Sequence, residues 1–243
     1  MYFFCVRNAS IFQIISLVFR TRLYYQILDT SDFLPLTYIM IEALKSSRFL
    51  FVIPEKGQKT RQRPYRQLAD FASELGLEVY MLDIRWKKHN SLLECSLEAT
   101  QKIHEIVDEL HPTEIYLFGF GIGAMLAVQV GYIFRADGLL LCSMPPLFNE
   151  ELAQFSTFRR YFLIRKIYKA RNKPSYPSRK IKTETVFIYA DKEYRKIEKI
   201  IEIRKKAFIK ANEQRIHKTA ASLRNKIYME AVMAEITLMM GTQ

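Results

Sequence analysis

Cysteine is scarce in this chain. Cys5, Cys95 and Cys142 are odd in number and far apart, so they suit neither a disulfide framework nor a zinc site, and a reducing cytoplasm is the expected setting. Histidine is scarce too. His89, His104, His111 and His217 show no metal-ligand spacing, and no metal or other cofactor is expected. The N-terminal region lacks an apolar run of membrane-spanning length. Ile11 to Phe19 is interrupted by Gln13 and Ser16 and flanked by Arg7, Arg20 and Arg22, whereas a spanning helix needs about 20 apolar residues. Arg20-Thr21-Arg22 also makes a poor signal-peptide cleavage site. Acidic residues are outnumbered, 25 against 37 basic, for a net charge of +12. The excess is spread over several helices, which favours a generally basic surface over a nucleic-acid footprint. A peripheral membrane contact stays open.

What is present is a globular composition. Apolar residues make up 49% of 243, enough for one domain with a well-buried core. Residues 1–45 differ from the rest and are expected to be an N-terminal extension, either a helix or sequence upstream of a true start at Met40. Residues 46–243 carry a regular pattern. Phe49–Ile53, Leu77–Leu82, Ile115–Phe118, Leu139–Cys142 and Val186–Ala190 are short apolar runs that read as buried strands. Helical spacing falls between them, at Tyr65–Leu75, Leu92–Leu110, Ala124–Phe134 and from Tyr194 to about Ala211. A last helix runs from Ser222 to about Met239. Strand and helix alternate, so the expected fold is α/β: a doubly wound, mostly parallel sheet with helices on both faces. Ligands then bind outside the carboxyl ends of the strands.

Five segments, in order, resemble the α/β-hydrolase family. Val52-Ile-Pro-Glu-Lys-Gly57 resembles its oxyanion loop, and Leu82-Asp-Ile-Arg-Trp-Lys87 the loop after the next strand. Gly119-Phe-Gly-Ile-Gly-Ala-Met-Leu-Ala127 resembles the nucleophile elbow G-x-S-x-G and its helix. Val186-Phe-Ile-Tyr-Ala-Asp-Lys-Glu193 resembles the strand ending in the acidic triad member, and Arg215-Ile-His-Lys218 the histidine loop. The resemblance covers roughly four fifths of the chain. It implies that Glu193, or alternatively Asp191, is the acid and His217 the base. Oxyanion donors would be the N–H of Ile122 and one from Glu55 or Lys56, where relatives have glycine. It also implies a short basic cap at about residues 147–182.

The chain departs from the pattern at its centre. The nucleophile position is Gly121, which has no side chain to attack with. Glycine reaches the strained elbow conformation at little steric cost, so loss of serine would stabilise the fold. Ser143 and Cys142 end the neighbouring strand and are the candidate substitutes, although neither reads as lying on a strained turn beside a histidine. The expectation is a degenerate, non-catalytic homologue, a pseudoenzyme that binds a small acyl or anionic ligand or a protein partner. The alternative is an active esterase using a substitute nucleophile or activated water.

Other patterns carry less. Gly119 to Ala124 also fits G-x-G-x-x-[GA], but the dinucleotide fingerprint needs an acidic residue ending the next strand, and Asp137 precedes it. Phe155 to Lys182 is basic and aromatic with no acidic residue. It reads as an amphipathic lid helix, with binding to an anionic ligand, membrane or nucleic acid as the alternative. Lys192 to Lys210 reads as a surface helix with a solvated basic face, and His89 as a solvated loop residue.

Overall fold

The computed structural model describes residues 47–89, 91–155, 175–177, 179–191, 197–217 and 219–241. All of them belong to the unit Ser46–Gln243. In chain order the elements are β1 (Arg48–Ile53), α1 (Arg63–Glu74), β2 (Leu77–Met81), α2 (Leu92–Leu110), β3 (Glu114–Phe120) and α3 (Ile122–Phe134). Then follow β4 (Gly138–Cys142), α4 (Asn149–Leu152), β5 (Glu184–Ala190), α5 (Ile197–Ala207), β6 (Ala211–Ile216) and α6 (Lys226–Gly241).

The strands form one sheet in the order β2-β1-β3-β4-β5-β6, and every adjacent pair is parallel. Alternate residues serve opposite faces, as the two-residue strand period requires. Phe49, Phe51 and Ile53 join Leu117, Leu139, Leu141 and Phe187 in a layer packed by α2, α3 and α5. Leu50 and Val52 join Tyr116, Phe118, Leu140 and Ile188 in the other, packed by α1 and α6. Both faces are buried, which is why the strands read as continuous apolar runs. Helix α3 is buried almost throughout, which explains why it lacks a polar face.

Helix ends follow from local chemistry. Ser91 caps α2, its hydroxyl accepting from the Glu94 N–H at 3.2 Å, a bond worth about 1 kcal/mol. Pro64, near the start of α1, has no N–H to leave unpaired. No described helix is long and apolar enough to cross a membrane.

Helix α6 begins at Lys226 and not at Ser222, and a larger difference from the sequence expectation lies after β5. The helix expected to run to about Ala211 ends at Ala207, and Ala211–Ile216 is a sixth strand. Its sequence, ANEQRI, is mostly solvent-facing. Among the described residues it pairs on one side only, with β5, so no apolar run marks it.

Candidate functional site

The chain crosses between β3 and α3 at the carboxyl edge of the sheet. Gly121 has φ +59° and ψ −125°, the strained backbone that the elbow resemblance implies, and glycine adopts it without a Cβ penalty. Its N–H donates to Cys142 O at 2.9 Å, and its carbonyl accepts from Ala124 N–H at 3.1 Å. The outer glycines meet a different demand. A Cβ on Gly119 would lie 2.4 Å from the Ala124 Cα, and one on Gly123 would lie 2.2 Å from the Ile53 carbonyl oxygen. Backbone passes too close for any side chain there, whatever the site does.

Glu55 lies over this turn. A Cβ on Gly121 would fall 2.8 Å from the Glu55 carboxyl group. The Glu55 N–H donates to the Tyr65 hydroxyl at 3.3 Å, so this expected oxyanion donor is already engaged. Tyr65 donates to Gln58 Oε1 at 2.6 Å, and Gln58 Nε2 donates to Glu55 Oε2 at 3.1 Å. The three residues close a ring. Burial pushes the Glu55 carboxyl group above the usual range, and burial likewise raises the Tyr65 phenol. Ile122, the other expected donor, begins α3 and is buried, while Lys56 is exposed.

Ser143 does lie on a strained turn, with φ +51°, which the sequence did not indicate. Its partner, however, is a tyrosine. Ser143 Oγ is 2.6 Å from the Tyr228 hydroxyl, and Tyr228 donates to Ile188 O at 3.2 Å. Either hydroxyl can donate in the shorter bond, since each carries one proton and accepts as well. Both residues are buried, as is Cys142. Among the described residues, the side-chain partner of this serine is a phenol and not a histidine base.

Asp191 and His217 follow β5 and β6. The His217 Nδ1 lies 3.0 Å from Asp191 Oδ2, and Asp191 also accepts from Arg215. The carboxylate raises the Arg215 guanidinium above its ordinary value. Glu193, the first candidate acid, lies outside the described residues. Among the described residues, the carboxylate paired with His217 is that of Asp191. The His217 side chain is 70% exposed, and β6 stands three strands from β3, about 14 Å of sheet spacing. Among the described residues, Asp191 is its hydrogen-bond partner.

The loop after β2 holds a network that the sequence did not reveal. The buried Glu98 carboxylate accepts from Arg85 N at 3.1 Å, Arg85 Nε at 2.9 Å and Lys102 Nζ at 2.9 Å, and lies 2.6 Å from His89 Nε2. His89 is thus a bonded residue rather than a solvated one. Burial pushes Glu98 upward, but the Lys102, His89 and Arg85 hydrogen bonds prevail and hold it at about 2. A lowered carboxylate pKa stabilises the fold above the ordinary value of 4.5, and this contribution fades as pH falls from there toward 2. Glu98→Gln should cost about 2–3 kcal/mol near neutrality. Urea titrations of both proteins should show that gap narrowing below about pH 4. A constant gap would mean that the charge plays no part.

Asp137 sits at the amino end of β4, where its Oδ2 accepts from Ile115 N–H at 2.7 Å. That is the wrong end of the sheet for a ribose contact. Most of the basic stretch Phe155 to Lys182 lies outside the described residues. Among the described residues, no group of three or more His, Cys, Asp or Glu could hold a metal ion.

Comparison with solved structures gives this architecture its class. An α/β serine hydrolase homologue from Coxiella burnetii aligns at TM-score 0.55 and 14% identity, over 81% of this chain and 84% of that one. Est1E from Butyrivibrio proteoclasticus aligns at TM-score 0.60 and 13% identity, over 81% and 90%. The Pyrococcus furiosus esterase Pf2001 aligns at TM-score 0.61 and 13% identity, over 81% and 85%. The chain has the α/β-hydrolase fold. No protein-family model and no curated protein matches it.

Proposed function

We propose that this protein is an α/β-hydrolase-fold protein with a vacant nucleophile position, which binds a small ligand or a protein partner in its cleft without turning it over. One observation carries the reading. The elbow keeps its strained geometry at Gly121 while holding no group that can form an acyl-enzyme. Three facts support it. Ser143 is bonded to Tyr228, Cys142 is fully buried, and His217 faces solvent beside Asp191. A small acyl ligand suits the cleft better than an anionic one, because the Glu55 carboxylate lies beside the elbow. The buried thiols Cys95 and Cys142 suit a reducing cytoplasm.

A second reading is favoured by one observation, the Asp191–His217 pair. That pair could polarise a water, and the protein would then be an esterase-type hydrolase. Hydrolysis of a panel of activated short esters and thioesters separates the two. Native protein and His217→Ala should release product at the same background rate. Turnover that disappears with His217 would establish the second reading and overturn the first.

A further inference from the structure

Glu55 stands where the missing side chain would be. A Cβ on Gly121 would lie 2.8 Å from Cγ, Cδ and Oε1 of Glu55 alike, well inside the 3.5–4.0 Å of an ordinary carbon contact. Three atoms at one distance mean that the side chain lies along the space a Gly121 Cβ would fill. It is also held there. Gln58 bonds the far carboxylate oxygen at 3.1 Å, and Gln58 is fixed in turn by Tyr65, whose ring is 1% exposed. Burial works against a charge here, and the neighbouring helix end works for it. Gly121 is the N-cap of the 13-residue helix α3 and supplies no side-chain cap, and a helix N-terminus attracts negative charge.

We propose that Glu55 is the internal occupant of the elbow: its carboxylate fills the space left by the nucleophile and makes the cleft select against anionic groups at that point. Positions 55 and 121 are then a coupled pair. A side chain cannot return to position 121 until Glu55 moves, and an acyl oxyanion formed there would meet a like charge. Restoring serine alone would therefore leave the site both crowded and electrostatically hostile. Glu55 occupies the elbow in this way whether or not the protein turns over esters.

A thermal unfolding cycle of native protein, Gly121→Ala, Glu55→Ala and the double variant tests the crowding. The backbone strain of alanine at φ +59° is common to both backgrounds and cancels. Gly121→Ala should lower the Tm about 3 °C or more further in the native background than in Glu55→Ala. Equal penalties, including loss of the folded state in both backgrounds, would overturn the proposal. Alkylation of Gly121→Cys, followed at that residue by peptide mass spectrometry, tests the charge. Iodoacetamide is the neutral reagent and iodoacetate the anionic one. Adding Glu55→Ala should speed both, and should raise the iodoacetate-to-iodoacetamide rate ratio about tenfold, as expected for removal of one unit charge several ångströms away. Faster reaction with an unchanged ratio would support the crowding and overturn the charge selection. Unchanged rates would overturn both.

Discussion

Arg204→Met lowers the stability of the fold by about 3–5 kcal/mol, the cost of leaving one member of a buried ion pair without its partner. Arg204 lies on α5 among four other basic residues between Lys199 and Lys210, yet it is 2% exposed. Its Nε donates to Glu151 Oε1 at 2.6 Å and its Nη2 to Met144 O at 2.6 Å. Its guanidinium lies 5.7 Å from the centroid of the Phe187 ring. Glu151 is fully buried. It accepts from the Tyr176 hydroxyl at 2.9 Å and from Phe148 N–H at 3.2 Å. Burial, reinforced by the Glu151 charge, raises the Tyr176 phenol. Tyr176 stacks on Phe148 with ring centroids 4.0 Å apart. One guanidinium thus ties α5 to both ends of the segment between β4 and β5. Urea unfolding measures the cost. The double variant Arg204→Met/Glu151→Leu should recover most of it, because two apolar side chains leave no buried charge. If the two single costs simply add, the pair is not coupled.

Gly123→Ala should be as damaging, at about 3 kcal/mol or more, because overpacking is costly when the atoms in the way belong to rigid backbone. The added Cβ would meet Ile53 O at 2.2 Å, Pro54 O at 2.7 Å and Ile53 C at 2.9 Å. Those atoms end β1, the neighbour of β3 in the sheet, and no side-chain rotation moves them aside. Helix α3 would have to lift away from the sheet, losing buried contacts of Met125, Leu126 and Val128. Gly241→Ala is the control. It lies at the end of α6 with nothing within 4 Å of its Cβ position, and should change stability by less than about 0.5 kcal/mol. Chemical denaturation of the three proteins decides the matter. Similar midpoints for native protein and Gly123→Ala would mean that the close approach is not rigid.

The parallel sheet was legible because burial on both faces leaves strands such as Leu139–Cys142 without a polar residue. Helix α2 has its expected ends, although Leu93, Leu97 and Leu110 are exposed and its buried face runs through Leu92, Cys95, Ala99 and Ile103. The strand β6 was not legible. An edge strand needs only one apolar face, and Asn212, Glu213 and Arg215 are exposed. Arg204 was not legible either, because a buried arginine in a basic helix looks like its solvated neighbours until its partner, 53 residues away, is known. At the site, motif order indicated Gly121, His217 and an acid at Glu193 or alternatively Asp191, and glycine at the elbow fitted the backbone strain. The bond between Ser143 and Tyr228 spans 85 residues, and no local pattern announces it. The same holds for Glu55. Its position in the oxyanion loop was readable, but the direction of its carboxylate depends on Gln58 and Tyr65.

The outer glycines of the elbow bear on how such proteins are recognised. Gly119 and Gly123 are fixed by backbone crowding, and that crowding exists whether or not a nucleophile stands between them. Stability alone can therefore keep both glycines, with or without catalysis. The signature that marks an enzyme to a motif reader is, at two of its three positions, a description of how a strand turns into a helix. In a chain like this one the spelling of the motif certifies an architecture, and only the middle letter speaks for chemistry.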